Sequence, residues 1–367
     1  MQPHPILLDI ARSQKPRAVV DPDALIASAI DHRMTGLLWD EVDAGRVALP
    51  AGHANDLARR DLWTRGHHRK LWATAELIRS RLESVGAQGA IFKGVAAEQR
   101  WYGRQGARPC TDLDVLLRPE DLRRCHEVLA ALQPDNRVTP SAIKLFRTGM
   151  LQSIDLVIDG IEVDFHGDLL KLDVPARQNA LFWKRTQEIP GSQGLRTIDA
   201  ETSLVQFVLH LNKDRFARLV GYVDVARVLS DDLDWAAIAA MFDAEGLREV
   251  GRCTLDRVVE TLALPVHPLA APTGWRSRMW HQLWPPEHTL EGGAGLLRLQ
   301  HRLLWLPWLA RGRPPEALRW WLRRRVLPPS DLVDYQHPYT RGPYLWRLVT
   351  GRLRRFRERR AEARAAS

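Results

Sequence analysis

Apolar side chains recur along this chain with two different periods, and the change between them divides it. Up to about Ser84 the spacing is helical, most clearly where Leu71, Ala75, Ile78 and Leu82 alternate steps of four and three along one face. Between Gln88 and Gly167 the spacing shifts to short strand-like runs separated by helical segments, at 90–92, 113–117, 143–146, 154–158 and 161–165. After Asp199 the helical period returns over 200–211, 219–229, 234–242 and 247–262. This order predicts an α+β protein: a mixed β-sheet with flanking helices, followed by a helical domain. We expect an N-terminal helical segment over 1–85, a sheet-bearing domain over 86–198, a helical domain over 199–264, and a Pro/Trp-rich linker with an Arg-rich helical tail over 265–367.

One strand pair can be read to the residue. Asp159-Gly160 is a two-residue hairpin turn between two alternating runs. Folding there sets Ile154 opposite Phe165, Leu156 opposite Val163 and Ile158 opposite Ile161 on a wholly apolar face. The other face then carries Ser153 opposite His166, Asp155 opposite Asp164 and Val157 opposite Glu162.

Composition changes this picture mainly at the C-terminus. The chain has 367 residues, 45% of them hydrophobic, which is enough for a substantial core. Its formal charge is +9, yet the residues from Arg311 onward hold fifteen arginines against five acids, so the rest is close to neutral. Eight of the fourteen tryptophans lie between Trp275 and Trp346, so basic and aromatic character coincide there. We expect those aromatics to pack and the arginines to face water, with the basic tail available to an anionic partner. Cys110, Cys125 and Cys253 show no metal-ligand spacing and no disulfide framework. No signal or transit pattern opens the chain, and the apolar stretch 296–309 is interrupted by Arg298, His301 and Arg302, so no transmembrane segment and a cytoplasmic setting are expected.

The chemistry concentrates at Thr111-Asp112-Leu113-Asp114-Val115-Leu116-Leu117. As a strand, this segment turns Leu113, Val115 and Leu117 to one side and both aspartates to the other. Two adjacent carboxylates repel each other, and a bound divalent cation is a common reason to keep them together; Mg2+, or Mn2+, suits a few carboxylates plus substrate phosphates. Upstream, Lys93-Gly94 follows an apolar run and precedes a helical segment, an order suited to phosphate because glycine admits close backbone approach and lysine offers a point charge.

Lys93-Gly94, Tyr102, Arg108, Asp112-Leu113-Asp114-Val115-Leu116 and Asp164-Phe165-His166 together resemble the uncharacterised nucleotidyltransferase family of the DNA polymerase β superfamily. The resemblance continues through Leu209-His210-Leu211, Arg218-Leu219 and Asp224-Val225-Ala226, and spans roughly residues 88–262. It implies three metal-holding carboxylates, Asp112, Asp114 and Asp164, and a helical domain closing over a nucleoside triphosphate, ATP by default. It also implies nucleotidyl transfer with release of pyrophosphate, to an acceptor left open among small molecule, peptide or protein, and RNA. In this reading Lys93, Gly94 and Arg108 grip phosphates, His166 either takes the acceptor proton or orients Asp164, and His210, Lys213 and Asp224 face base or acceptor. Better-known superfamily members carry Gly-Ser ahead of the paired aspartates, where this chain has Lys93-Gly94 further upstream.

Two other readings compete. His166-Gly167-Asp168-Leu169 looks like the catalytic loop of aminoglycoside-type phosphotransferases, although Asp173 stands where those kinases have asparagine. A non-catalytic nucleotide-binding or interaction protein is the third reading, against which the intact acids argue.

Overall fold

The computed structural model describes residues 2–132, 143, 146, 147, 151–170 and 178–269, so the tail expected beyond residue 269 lies outside the described residues, as does Asp173. Four helices open the chain: α1 (Pro5–Ala11), α2 (Pro22–Asp31), α3 (Thr35–Asp43) and the long α4 (Ala51–Ser84). Next come β1 (Gly89–Phe92), α5 (Gly94–Trp101), β2 (Asp112–Leu117) and α6 (Cys125–Leu132). The hairpin β3 (Ser153–Ile158) and β4 (Ile161–His166) follows, then α7 (Asn179–Lys184), β5 (Thr186–Glu188) and β6 (Arg196–Ile198). The last described helices are α8 (Ala200–Lys213), α9 (Leu219–Val228), α10 (Trp235–Glu245) and α11 (Arg248–Leu262). Among the described residues, no helix is long and apolar enough to cross a membrane.

The strands form one six-stranded mixed sheet in the order β3-β4-β2-β1-β6-β5, so the fold is the α+β arrangement that the periodicity predicts. The β3/β4 hairpin pairs in the anticipated register, Ile154 with Phe165, Asp155 with Asp164 and Ile158 with Ile161. Strand β4 then lies parallel to β2, with Asp114 beside Asp164 and Leu116 beside His166. Antiparallel β1 completes the centre, Phe92 beside Asp114.

Because side chains alternate, this register sorts the sheet into two unlike faces. One is apolar: Ile91, Leu113, Val115, Leu117, Ile154, Leu156, Val163 and Phe165 pack in a single cluster with Leu71, Ala75, Ile78 and Leu82 of α4 and with Val128 and Leu129 of α6. Each such buried side chain contributes on the order of 1.5–3 kcal/mol. Gly89 is needed there, since an added Cβ would come within 2.9 Å of Leu82 and 3.0 Å of Val115. The other face mixes Phe92 and Leu116, which join a core shared with Leu204 and Val208 of α8, with the acidic side chains.

Two stretches depart from the periodicity. Residues Ile143 and Phe146, expected in a strand, are helical and buried in the apolar cluster, because a spacing of three also fits one helical face. Strands β5 and β6 are too short, at three residues each, to show alternation in the sequence. The N-terminal helices are fastened to the loop ahead of β2: Arg104 donates to Asp61 at 2.8 Å and to the Gly36 carbonyl at 2.8 Å, and also pairs with Asp40. Gly36 permits this approach, for a Cβ there would lie 2.1 Å from the Gly106 carbonyl oxygen.

Candidate metal and nucleotide site

Asp114, Asp164 and His166 converge, each offering a ligand atom within 4.8 Å of the others. The strand register produces this, because Asp114 and Asp164 are in-register neighbours and His166 follows on the same face. His166 is fully buried; its Nε2 lies 2.8 Å from Asp114 Oδ1 and 3.5 Å from Asp164 Oδ2, so one ring nitrogen is shared by both carboxylates. Its Nδ1 has no hydrogen-bond partner among the described residues. Phe92 meets the ring edge-on at 4.9 Å between centroids.

Asp114 is buried and also accepts from Lys93 Nζ at 3.3 Å. Burial alone would raise its pKa, but the charge of Lys93 and the hydrogen bond from His166 outweigh that and hold the carboxyl well below the usual carboxylate range. The lysine occupies an unusual backbone position, φ 57° and ψ −155°, that glycine adopts far more easily. A side chain held at a position that disfavours side chains marks Lys93 as a residue to explain through function. It caps α5, and Gly94 begins that helix with φ 38°.

Asp112 shares the β2 face with Asp114 but stands outside the three-residue convergence. Asp155, across from Asp164, is exposed and stands outside it too.

Arg108 and Asp224 meet each other. Arg108 Nε and Nη2 donate to the two Asp224 carboxylate oxygens, each at 2.7 Å, and the Tyr102 hydroxyl donates to Asp224 Oδ1 at 2.5 Å. Burial first, then the Asp224 charge, pushes the Tyr102 phenol well above its ordinary value, so it stays a donor. This buried pair ties the loop ahead of β2 to α9. His210 and Lys213 sit in the last turns of α8, on the side of that helix that faces the acids. The His210 side chain is 41% accessible and pairs with Asp214 at 3.3 Å. Desolvation by the surrounding protein, then the charges of Lys93 and Lys213, lower its pKa well below the usual histidine value, while Asp114 works the other way.

A further network had no signal in the sequence. Glu98 accepts from the Gly106 and Arg108 backbone amides at 2.8 and 3.0 Å, and lies 2.6 Å from His68 Nδ1. His68 Nε2 in turn faces Cys110 Sγ at 3.3 Å. This order of thiol, imidazole and carboxylate is also that of a cysteine nucleophile, but burial and the neighbouring acids push the Cys110 thiol up to about 12, so it remains protonated. The network's role is to fix the loop that delivers Arg108 and Asp112. Asp168, the aspartate of the kinase reading, is 3% exposed and accepts the Leu170 amide at 3.0 Å, turned into the protein.

Residues 18–262 match the family described as uncharacterised nucleotidyltransferase. No curated protein and no solved structure matches the chain.

Proposed function

The chain belongs to the uncharacterised nucleotidyltransferase family, and on that premise we propose that it moves a nucleoside monophosphate from a nucleoside triphosphate to an acceptor, releasing pyrophosphate. The observation that carries this reading is the convergence of Asp114, Asp164 and His166 under a helical half that presents His210 and Lys213. The donor set fits a divalent cation: two carboxylates from neighbouring strands, an oxygen-rich site suited to Mg2+ or Mn2+. Asp112 lies on the same face of β2, and Asp112, Asp114 and Asp164 are the residues that would hold the cations. Bound there, such cations would lower the pKa of the acceptor oxygen and offset charge on the phosphoryl and leaving oxygens.

The chain's own residues do the rest. Lys93, 3.3 Å from Asp114 and at the N-terminus of α5, supplies a positive charge for the triphosphate. His166, shared between two carboxylates and fully buried, orients both, and Asp164 receives the acceptor proton. Arg108 acts through Asp224, holding the helical domain against the loop that precedes β2. ATP is the default nucleotide, and a cytoplasmic setting is part of the proposal.

The test is incubation of the protein with Mg2+, a cell extract and triphosphates labelled in turn at the α or γ position. Label from the α position entering a new product, with pyrophosphate released, is the expected result. Transfer of the γ label with release of the diphosphate would replace this reading with the kinase.

A further inference from the structure

A cavity of about 640 Å³ opens between α2, α4 and the loop ahead of β2, lined among others by Arg33, Arg59, Arg60, Trp63, Cys110 and Thr111. This volume is that of a small-molecule site. Of its charged groups, Arg59 pairs with Asp56, while Arg33 and Arg60 form no ion pair among the described residues. Arg33 is half-buried and stands just past the end of α2 with φ 55°, where glycine would be at ease. The adjoining backbone is anchored, because the His32 carbonyl accepts from Val220 and His32 Nδ1 from Leu219, at 3.3 Å each. Trp63 is 63% exposed yet ordered by stacking on His67, with centroids 5.1 Å apart and planes 4° from parallel. His67 in turn bonds the Thr111 carbonyl at 3.1 Å, one residue before Asp112.

We propose that this cavity is the acceptor site, and that the acceptor carries an anionic group, phosphate or carboxylate, beside a flat or apolar body. The inference rests on the transfer reading above. In the transfer reading the triphosphate takes Lys93, the α5 N-terminus and the acid face, so Arg33 and Arg60 of this cavity, which form no ion pair among the described residues, call for a second anionic ligand. Arginine provides the planar fork that recognises phosphate and carboxylate, and an exposed, pre-ordered indole provides a stacking surface at little entropic cost. The position is right for chemistry, since Thr111 of the cavity wall leads directly into the strand that holds the acids.

The test titrates the full chain calorimetrically with phenyl phosphate, benzoate and inorganic phosphate, with and without saturating Mg2+ and ATP. We expect phenyl phosphate or benzoate to bind more tightly than inorganic phosphate, and to persist when Mg2+ and ATP are present. Arg60→Gln, on an exposed helix surface where folding is not at risk, and Trp63→Ala should each weaken binding at least tenfold. Arg60→Gln should also raise the KM for the acceptor in the labelled-transfer assay, leaving kcat and the KM for the nucleotide unchanged. Absence of binding, equal binding by the variants, or displacement by Mg2+ and ATP would overturn the proposal, the last by making the cavity part of the nucleotide site. Failed transfer with variant-sensitive binding would sink the transfer reading and, with it, the acceptor assignment, leaving only an anion pocket. Failed binding with intact transfer sinks the acceptor pocket alone.

Discussion

The two faces of the central sheet are built from the same strands, residue by residue in alternation, and are under opposite demands. On one, Leu113, Val115, Val163 and Phe165 meet α4 and α6 in a core of aliphatic and aromatic side chains. On the other, one residue along in each strand, Asp114, Asp164 and His166 crowd together with Lys93 as a counter-charge. The first face supplies stability and the second spends some of it, since acids held side by side stabilise nothing unless a cation joins them. The strand that carries Asp112 and Asp114 can hold them in place because its other side is anchored so firmly.

This contrast predicts a crossing of phenotypes. The largest effect belongs to Asp164→Ala, which should lower transfer by about a thousandfold, or ~4 kcal/mol of barrier, with the melting temperature little changed; Asp155→Ala, one strand over, should retain most of the activity. Comparable activities in the two variants would place the acidic centre wrongly. Next comes Arg108→Gln, which strands a buried carboxylate and should cost about 3 kcal/mol of stability in urea unfolding. If stability is unaffected, the Arg108–Asp224 pair does not clamp the loop to α9. On the apolar face, Ile78→Val should cost about 1 kcal/mol and leave the KM for nucleotide as it is. A change in nucleotide affinity without loss of stability would mean that the two faces are not separable.

Local signals made much of this architecture readable in the sequence. Asp159-Gly160 with flanking alternation sets the β3/β4 register, and the alternation of 112–117 puts both aspartates on one face. The four helices after Asp199 follow from their periodicity, with Asp199 and Asp234 capping two of them. What escaped is long-range or too short to carry a period. Nothing near Arg108 announces a partner 116 residues away, nor does Glu98 signal His68, 30 residues upstream. Ile143 and Phe146 are apolar at a spacing that suits more than one element, and three-residue strands have no pattern to read. The family resemblance implied that Asp164 joins Asp114, but the parallel β2/β4 pairing that brings them together had no signal of its own, because no rule of pairing within the hairpin places β4 next to β2. Arg33 offered no signal at all, because the cavity it lines is assembled from three parts of the chain.

On the reading proposed above, the acidic face is a joint site for cations and nucleotide. Its most direct test is the thermal unfolding of the parent chain and of Asp114→Asn, each with Mg2+ alone, ATP alone and both together. The parent should gain stability from the pair well beyond either component, about 2.7 kcal/mol at a hundredfold excess over the dissociation constant, and the variant should lose that gain. A folded Asp114→Asn protein that keeps the whole shift would mean that cations and nucleotide bind elsewhere.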